Sequence, residues 1–151
     1  MIRRMRAATS DSERGTVSVF VVGLAVALLV LAGLVVDGGR AINARAAAYD
    51  DAEQAARAGA NEIDVFTLRR TGQVVIKADA ARRAVDAFLA ARAYPAGSAV
   101  TEVGEREVRV KLDGDVDTSL LTLINIDSFH VTATATARAA IGIDAEIGGA
   151  P

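Results

Sequence analysis

Carboxylates and a single histidine are where chemistry would have to begin in this sequence. Asp113-Gly114-Asp115-Val116-Asp117 spaces three carboxylates at alternate positions, as the opening of a calcium-binding loop does. Such a loop needs glycine at its sixth position, for a sharp turn, and a bidentate glutamate at its twelfth. Thr118 and Ile124 stand there. The run therefore reads as a solvated turn between strands. His130 is the only histidine and cysteine is absent, so the nitrogen and sulfur donors of a zinc site do not assemble. No glycine-rich phosphate loop, nucleophile elbow or pair of catalytic carboxylates is recognisable. The expectation is a protein that is not an enzyme, with no catalytic residue, no metal and no cofactor.

Composition limits what could position such groups. Of 151 residues, 52% are hydrophobic but only 4% aromatic, and tryptophan is absent. The apolar count rests on alanine and valine, which bury little area each, so any core is thin. A net charge of -2 leaves no basic surface for nucleic acid.

The longest apolar stretch is Val17–Val36, twenty residues without a charge and with Ser18 as the one hydroxyl. A helix rising about 1.5 Å per residue crosses a hydrocarbon core of about 30 Å in roughly 20 residues. Cleaved signal sequences have shorter apolar cores and a small-residue ending. Here Asp37-Gly38-Gly39-Arg40 follows instead. The run reads as an uncleaved single-pass anchor. Arg3, Arg4, Arg6 and Arg14 precede it, against Arg40 and Arg45 after it, which predicts a cytoplasmic N-terminus and an extracytoplasmic C-terminal part in a cell membrane.

A helical pattern continues past the span. Ala41, Ala44, Ala48, Ala52, Ala55 and Gly59 recur at steps of three and four, which lines them along one helix face. Gly23 and Ala27 offer the same small-residue spacing inside the span. Such a face admits another helix backbone at close range. Two readings stay open: packing on the chain's own domain, or packing on another subunit. Gly38-Gly39 is the weak point of the helix, as a hinge or as a tolerated pair. Glu53 and Arg57 stand at i,i+4 on a different face and can pair in solvent.

Further on, Arg69-Arg70-Thr71-Gly72 reads as a turn and Val74-Val75-Ile76 as a short strand. Asp79 is placed as an N-cap. Ala81, Ala84, Val85, Phe88 and Leu89 then form the apolar face of a helix over 79–92. Val108, Val110 and Leu112 alternate with charged residues, and Phe129, Val131, Ala133, Ala135 and Ala137 alternate with His130 and the threonines. That period of two predicts antiparallel strands with one covered and one wet face, His130 on the wet one. Ser119–Leu123 reads as a short helical turn between them. The expected fold is α+β: a transmembrane helix extended into a long alanine-rich helix, then a small antiparallel sheet covered by one amphipathic helix. The expected divisions are a leader at 1–15, the transmembrane helix at 16–36, its extension at 37–63, the small domain at 64–143 and a flexible tail at 144–151.

Three segments carry a resemblance. They are Arg14-Gly15 before the span, the exit Gly33-Leu34-Val35-Val36-Asp37-Gly38-Gly39-Arg40, and the run Ala52-Glu53-Gln54-Ala55-Ala56-Arg57-Ala58-Gly59-Ala60. Over residues 14–60 the chain resembles the N-terminal region of the TadE/TadG-like proteins of tight-adherence (Flp) pilus assembly, as a short, pilin-sized, actinobacterial-type member. The family shows an apolar span ending in V-D-x-G-R, matched here by Asp37, Gly38 and Arg40, and an alanine-rich helix closing on A-G-A.

The resemblance implies a minor-pilin-like or assembly component of a surface filament or related secretion apparatus. It would act by helix packing with other pilin-like or pilus-assembly proteins in the membrane, as a homo- or hetero-oligomer. It also raises processing between Gly15 and Thr16, since pilin-type precursors are cut after a glycine. Their glutamate at the fifth mature position is replaced here by Phe20. A competing class is a membrane-tethered binding domain, for which the helix is only an anchor.

Overall fold

The computed structural model describes residues 10–140, with side chains from Thr16 onward. The leader arginines Arg3, Arg4 and Arg6, the side chain of Arg14 and the tail at 144–151 lie outside the described residues. The fold is α+β, as the patterning predicts. Helix α1 runs Ser10–Ala60, α2 Val65–Thr71 and α3 Ala78–Ala91; strands β1 (Ala99–Val103), β2 (Glu107–Asp117) and β3 (Ser128–Arg138) follow, with a 3-10 turn at Leu121–Ile124 between the last two. The sheet order is β1-β2-β3. The chain divides into two compact units, one of residues up to Arg40 with Asp117–Ser128, the other of Ala41–Val116 with the chain from Phe129 on.

Helix α1 has no proline, and it continues through Gly38-Gly39. The pair is tolerated and makes no break. In the first unit its large side chains stand bare: Phe20, Leu24, Leu28, Leu31 and Val35 are all exposed. Only 6% of its most apolar window is buried.

In the second unit the end of α1 is buried. Ala52, Ala55, Ala56 and Ala60 pack with Ala81, Val85 and Leu89 of α3 against Val108, Val110 and Leu112 of β2 and Ala135 of β3. Two helices therefore cover the sheet, where the alternation alone suggested α3 as the cover. Alanine makes this possible, because a short side chain lets the α1 backbone lie close to its neighbours. At Gly59 even a Cβ would come within 3.0 Å of Val85 and 3.2 Å of Val108. The opposite face of the sheet carries Arg109, Lys111, Thr134 and Thr136, all exposed.

Strand β1 pairs antiparallel with β2, from Ala99 opposite Leu112 to Val103 opposite Val108. Between β2 and β3 the side-chain pairs run in opposite chain directions: Glu107–Arg138, Arg109–Thr136, Asp113–Thr132 and Asp115–His130. They match an antiparallel ladder.

Four local expectations are corrected. Residues 65–71 form a helix and not a turn, because Asp64 accepts from the Phe66 amide and Gly72 closes the other end at φ 73°. Val74–Ile76 makes only an isolated bridge, Ile76 to Ile63. Asp79 is not the N-cap of α3; that position is Lys77, while Asp79 sits in the first turn, pairs with Arg82 and complements the helix dipole. Asp113–Asp117 is the continuation of β2 and not a turn. Strand β1 has no counterpart among the sequence expectations.

Candidate functional site at the exit of the apolar helix

Val36 ends the uncharged run and Asp37 follows while α1 is still helical. A carboxylate in the middle of a helix has no free backbone N–H of its own helix to accept from. It must find donors elsewhere or keep its water. Asp37 is 1% exposed, so water is excluded. Its donors come from more than eighty residues away. Oδ1 accepts the Ser119 amide at 2.9 Å, and Oδ2 accepts those of Leu120 and Leu121, both at 2.9 Å. These three N–H groups open the 3-10 turn Leu121–Ile124, where backbone donors lack partners within the turn and converge on an anion. Asp37 thus caps a turn that belongs to a different part of the chain.

Arg40, one helical turn on, completes the site. Its guanidinium lies 4.0 Å from Asp37 Oδ1 and donates to the Ser119 hydroxyl. Burial of the Asp37 carboxyl pushes its pKa upward. The three amides and Arg40 outweigh that, and the net effect holds the group below its ordinary value of 3.8. Both carboxylate oxygens are engaged, so the group acts as a clamp on this turn.

The clamped segment is closed on itself. The Thr118 amide donates to the Asp127 carbonyl at 2.9 Å, the Thr118 hydroxyl donates to the Ile126 carbonyl, and the Ile126 amide donates to the Leu121 carbonyl at 3.1 Å. Asn125 takes the left-handed conformation at φ 66° that ends the turn. Below Asp37, Gly33 gives room to the loop: a Cβ there would come within 3.0 Å of Leu121 Cδ2 and 3.2 Å of Leu120 Cβ.

The other sequence-nominated residues are distributed as follows. Thr16 and Gly15 lie within α1. Gly23 and Ala27 are exposed, and a Cβ on Gly23 meets nothing within 4 Å. Ala41, Ala44 and Ala48 are half-buried; Ala44 and Ala48 border an open cleft with Arg92, Tyr94, Leu112 and Val131. Ala52, Ala55 and Gly59 are buried in the core of their own unit. Glu53 and Arg57 form their ion pair. A Cβ on Gly38 also meets nothing, and the structure gives no reason for glycine there. His130 stands on the wet face, 3.1 Å from Asp115, and Asp113 is held by Lys111 and Thr132. Among the described residues no three His, Asp or Glu side chains are grouped to hold a metal ion.

The sequence reading missed the Ser119–Leu121 half of the site. Its signal was an uncharged, leucine-rich stretch between Asp117 and Asp127, too apolar for an ordinary surface turn.

These features define an α+β protein with one helix long and apolar enough to cross a membrane among the described residues. Its exit is locked by a buried aspartate. Residues 15–62 match the family model described as putative Flp pilus-assembly TadE/G-like. Gly33, Asp37 and Arg40 fall inside the matched stretch, whereas Ser119–Leu121 fall outside it. No curated protein and no solved structure matches the chain.

Proposed function

We propose that this protein is a non-catalytic structural or assembly component, minor-pilin- or pseudopilin-like, of a Tad/Flp-type pilus or related secretion apparatus. It is held by a single span at 16–36, with a cytoplasmic N-terminus and the remaining chain extracytoplasmic. It works by helix packing. The observation that carries this reading is the family match over a helix that is apolar all round and bare in its lower half. A helix of that kind needs lipid or other helices as its surroundings. Transfer from lipid into a bundle of similar helices keeps its surface out of water in both places.

The small-residue stripe supports the reading in divided form. Ala52, Ala55 and Gly59 are buried in the chain's own core, which leaves Gly23 and Ala27 within the span, and the half-buried Ala41, Ala44 and Ala48, as the face for a partner helix. The paired change Gly23→Leu with Ala27→Leu should leave membrane insertion intact and abolish co-recovery with other pilus components from native membranes. Unchanged co-recovery would remove the packing role from Gly23 and Ala27.

Intact mass then separates the two forms of the proposal. A chain beginning at Thr16 in sheared surface material marks a filament subunit. An uncut chain retained in the membrane with pilus components marks an assembly factor. A chain recovered alone sinks both and favours a tethered binding domain.

A further inference from the structure

We propose that the loop Thr118–Asp127 is a second membrane contact, with Leu123, Ile124 and Ile126 seated in the interfacial layer of the bilayer at the Val36 end of the span. The inference rests on Val17–Val36 crossing a membrane. It adds a part of the chain that the family match does not reach.

Depth is the first argument. Leu120 and Leu121 lie against Gly33, which is about 4–5 Å inside the end of the apolar run at 1.5 Å per residue. If the run occupies the hydrocarbon layer, the loop touching Gly33 is held at the level where that layer meets the headgroups. The loop cannot swing away freely, since the Asp37 carboxylate holds three of its amides.

Composition is the second. From Thr118 to Ile126 no residue is charged, and five of the nine are leucine or isoleucine. Leu123 is 70% exposed, with Ile124 at 44% and Ile126 at 39%. A loop facing water carries polar residues at such positions. Apolar tips on a closed, self-bonded loop beside a span suit the boundary between headgroups and acyl chains. Polarity is the third. The charges nearest in sequence, Asp117 and Asp127, sit at its two ends, and its own turn, with Asp37, takes up the amides of Thr118, Ser119, Leu120, Leu121, Leu123, Asn125 and Ile126. With no lysine or arginine in the loop, seating is apolar and needs no anionic lipid.

The chain has no tryptophan, so a single introduced indole reports one position. The full chain carrying Leu123→Trp, reconstituted in phosphatidylcholine vesicles, is compared with Leu28→Trp in the span and Thr134→Trp on the exposed face of β3. Leu123 has room for the larger ring, and Ile126→Trp serves as a second reporter. The expected result is blue-shifted emission from Leu123→Trp, quenched about twofold or more by lipids brominated high on the acyl chain. Leu28→Trp should respond most to deep bromines and Thr134→Trp to neither. Emission from both loop reporters like that of Thr134→Trp overturns the proposal. So does a blue shift without lipid quenching, which would mean that protein covers the loop. Failure of Leu28→Trp to respond removes the span itself, and is told apart by that.

Discussion

Both compact units use the same helix, and they use opposite kinds of apolar residue. Where α1 belongs to the first unit it is built from Val, Leu and Phe, and those side chains are exposed. Where it enters the second its apolar residues are mainly alanine, and Ala52, Ala55 and Ala56 are fully buried. The halves differ in charge, none over Val17–Val36 against five over Ala41–Ala60, and in the size of their apolar side chains. Large side chains present area to lipid, whereas small ones let a neighbouring helix or sheet approach at backbone range. The polar parts differ in the same sense. The second unit holds itself with apolar contacts, and the first holds its loop with one carboxylate.

The largest contrast should come from paired truncations. Leu112→Ala, at a residue 1% exposed, should cost about 2–5 kcal/mol of the second unit's stability in denaturant unfolding. Leu28→Ala, at a residue 58% exposed, should leave that transition within about 0.5 kcal/mol. Equal losses would break the distinction between a packed half and a bare half.

Enlargement gives the next effect. Gly59→Leu drives atoms into Val85 and Val108, already 3.0 and 3.2 Å from a bare Cβ, and should destabilise by about 1–3 kcal/mol. A Cβ on Gly23 meets nothing within 4 Å, and Gly23→Leu should not change folding. If Gly23→Leu nonetheless prevents assembly, its face is used by a partner.

The clamp should show its own pH signature. The folded pKa of Asp37 is lowered, so its stabilising contribution is present above the ordinary value of 3.8 and is lost as pH falls through the lowered value. Hydrogen exchange at the Ser119, Leu120 and Leu121 amides, corrected for intrinsic rates, should stay protected from neutral pH down to that region and then rise. Asp37→Ala should raise it about tenfold or more at neutral pH, with the core amides of β2 unchanged. A loop that stays protected without the carboxylate would mean that Gly33 and the leucines hold it alone.

Much of this was legible because it is periodic. The apolar run, the 3.6-residue pattern of α3 and the alternation of Val108–Leu112 and Phe129–Ala137 each specify an element by themselves. Helix α2 was misread as a turn: Asp64 with Thr67 at one end and Gly72 at the other mark it, but seven residues give too little periodicity to outweigh the turn signal of Gly72. The Asp113–Asp117 strand was hidden by its carboxylates, which lie at a sheet end where Lys111, Thr132 and His130 balance them. The V-D-x-G-R exit could be noticed in the sequence, but not explained. The partners of Asp37 are backbone amides, which every residue carries, so no side-chain pattern points to them. The fate of the alanine stripe was likewise open, because spacing defines a face and says nothing of what covers it.

The smallest expected effect tests whether the two units open independently. Helix α3 ends with Ala93 at φ 62°, while the Ala93 and Tyr94 amides donate back to Ala90 and Leu89 at 3.0 Å each. The left-handed conformation costs a residue with a Cβ about 1–2 kcal/mol. Glycine avoids that but loses more chain entropy on folding, about 0.5–1 kcal/mol. Ala93→Gly should therefore stabilise the second unit by about 0.5–1 kcal/mol, read as a later denaturant midpoint with an unchanged slope. Exchange at the Ser119–Leu121 amides should not slow. If it slows by the same factor as the core, the loop opens only when the whole chain unfolds, and the carboxylate clamp is no separate source of order. If only the core slows, one helix serves two units that open separately.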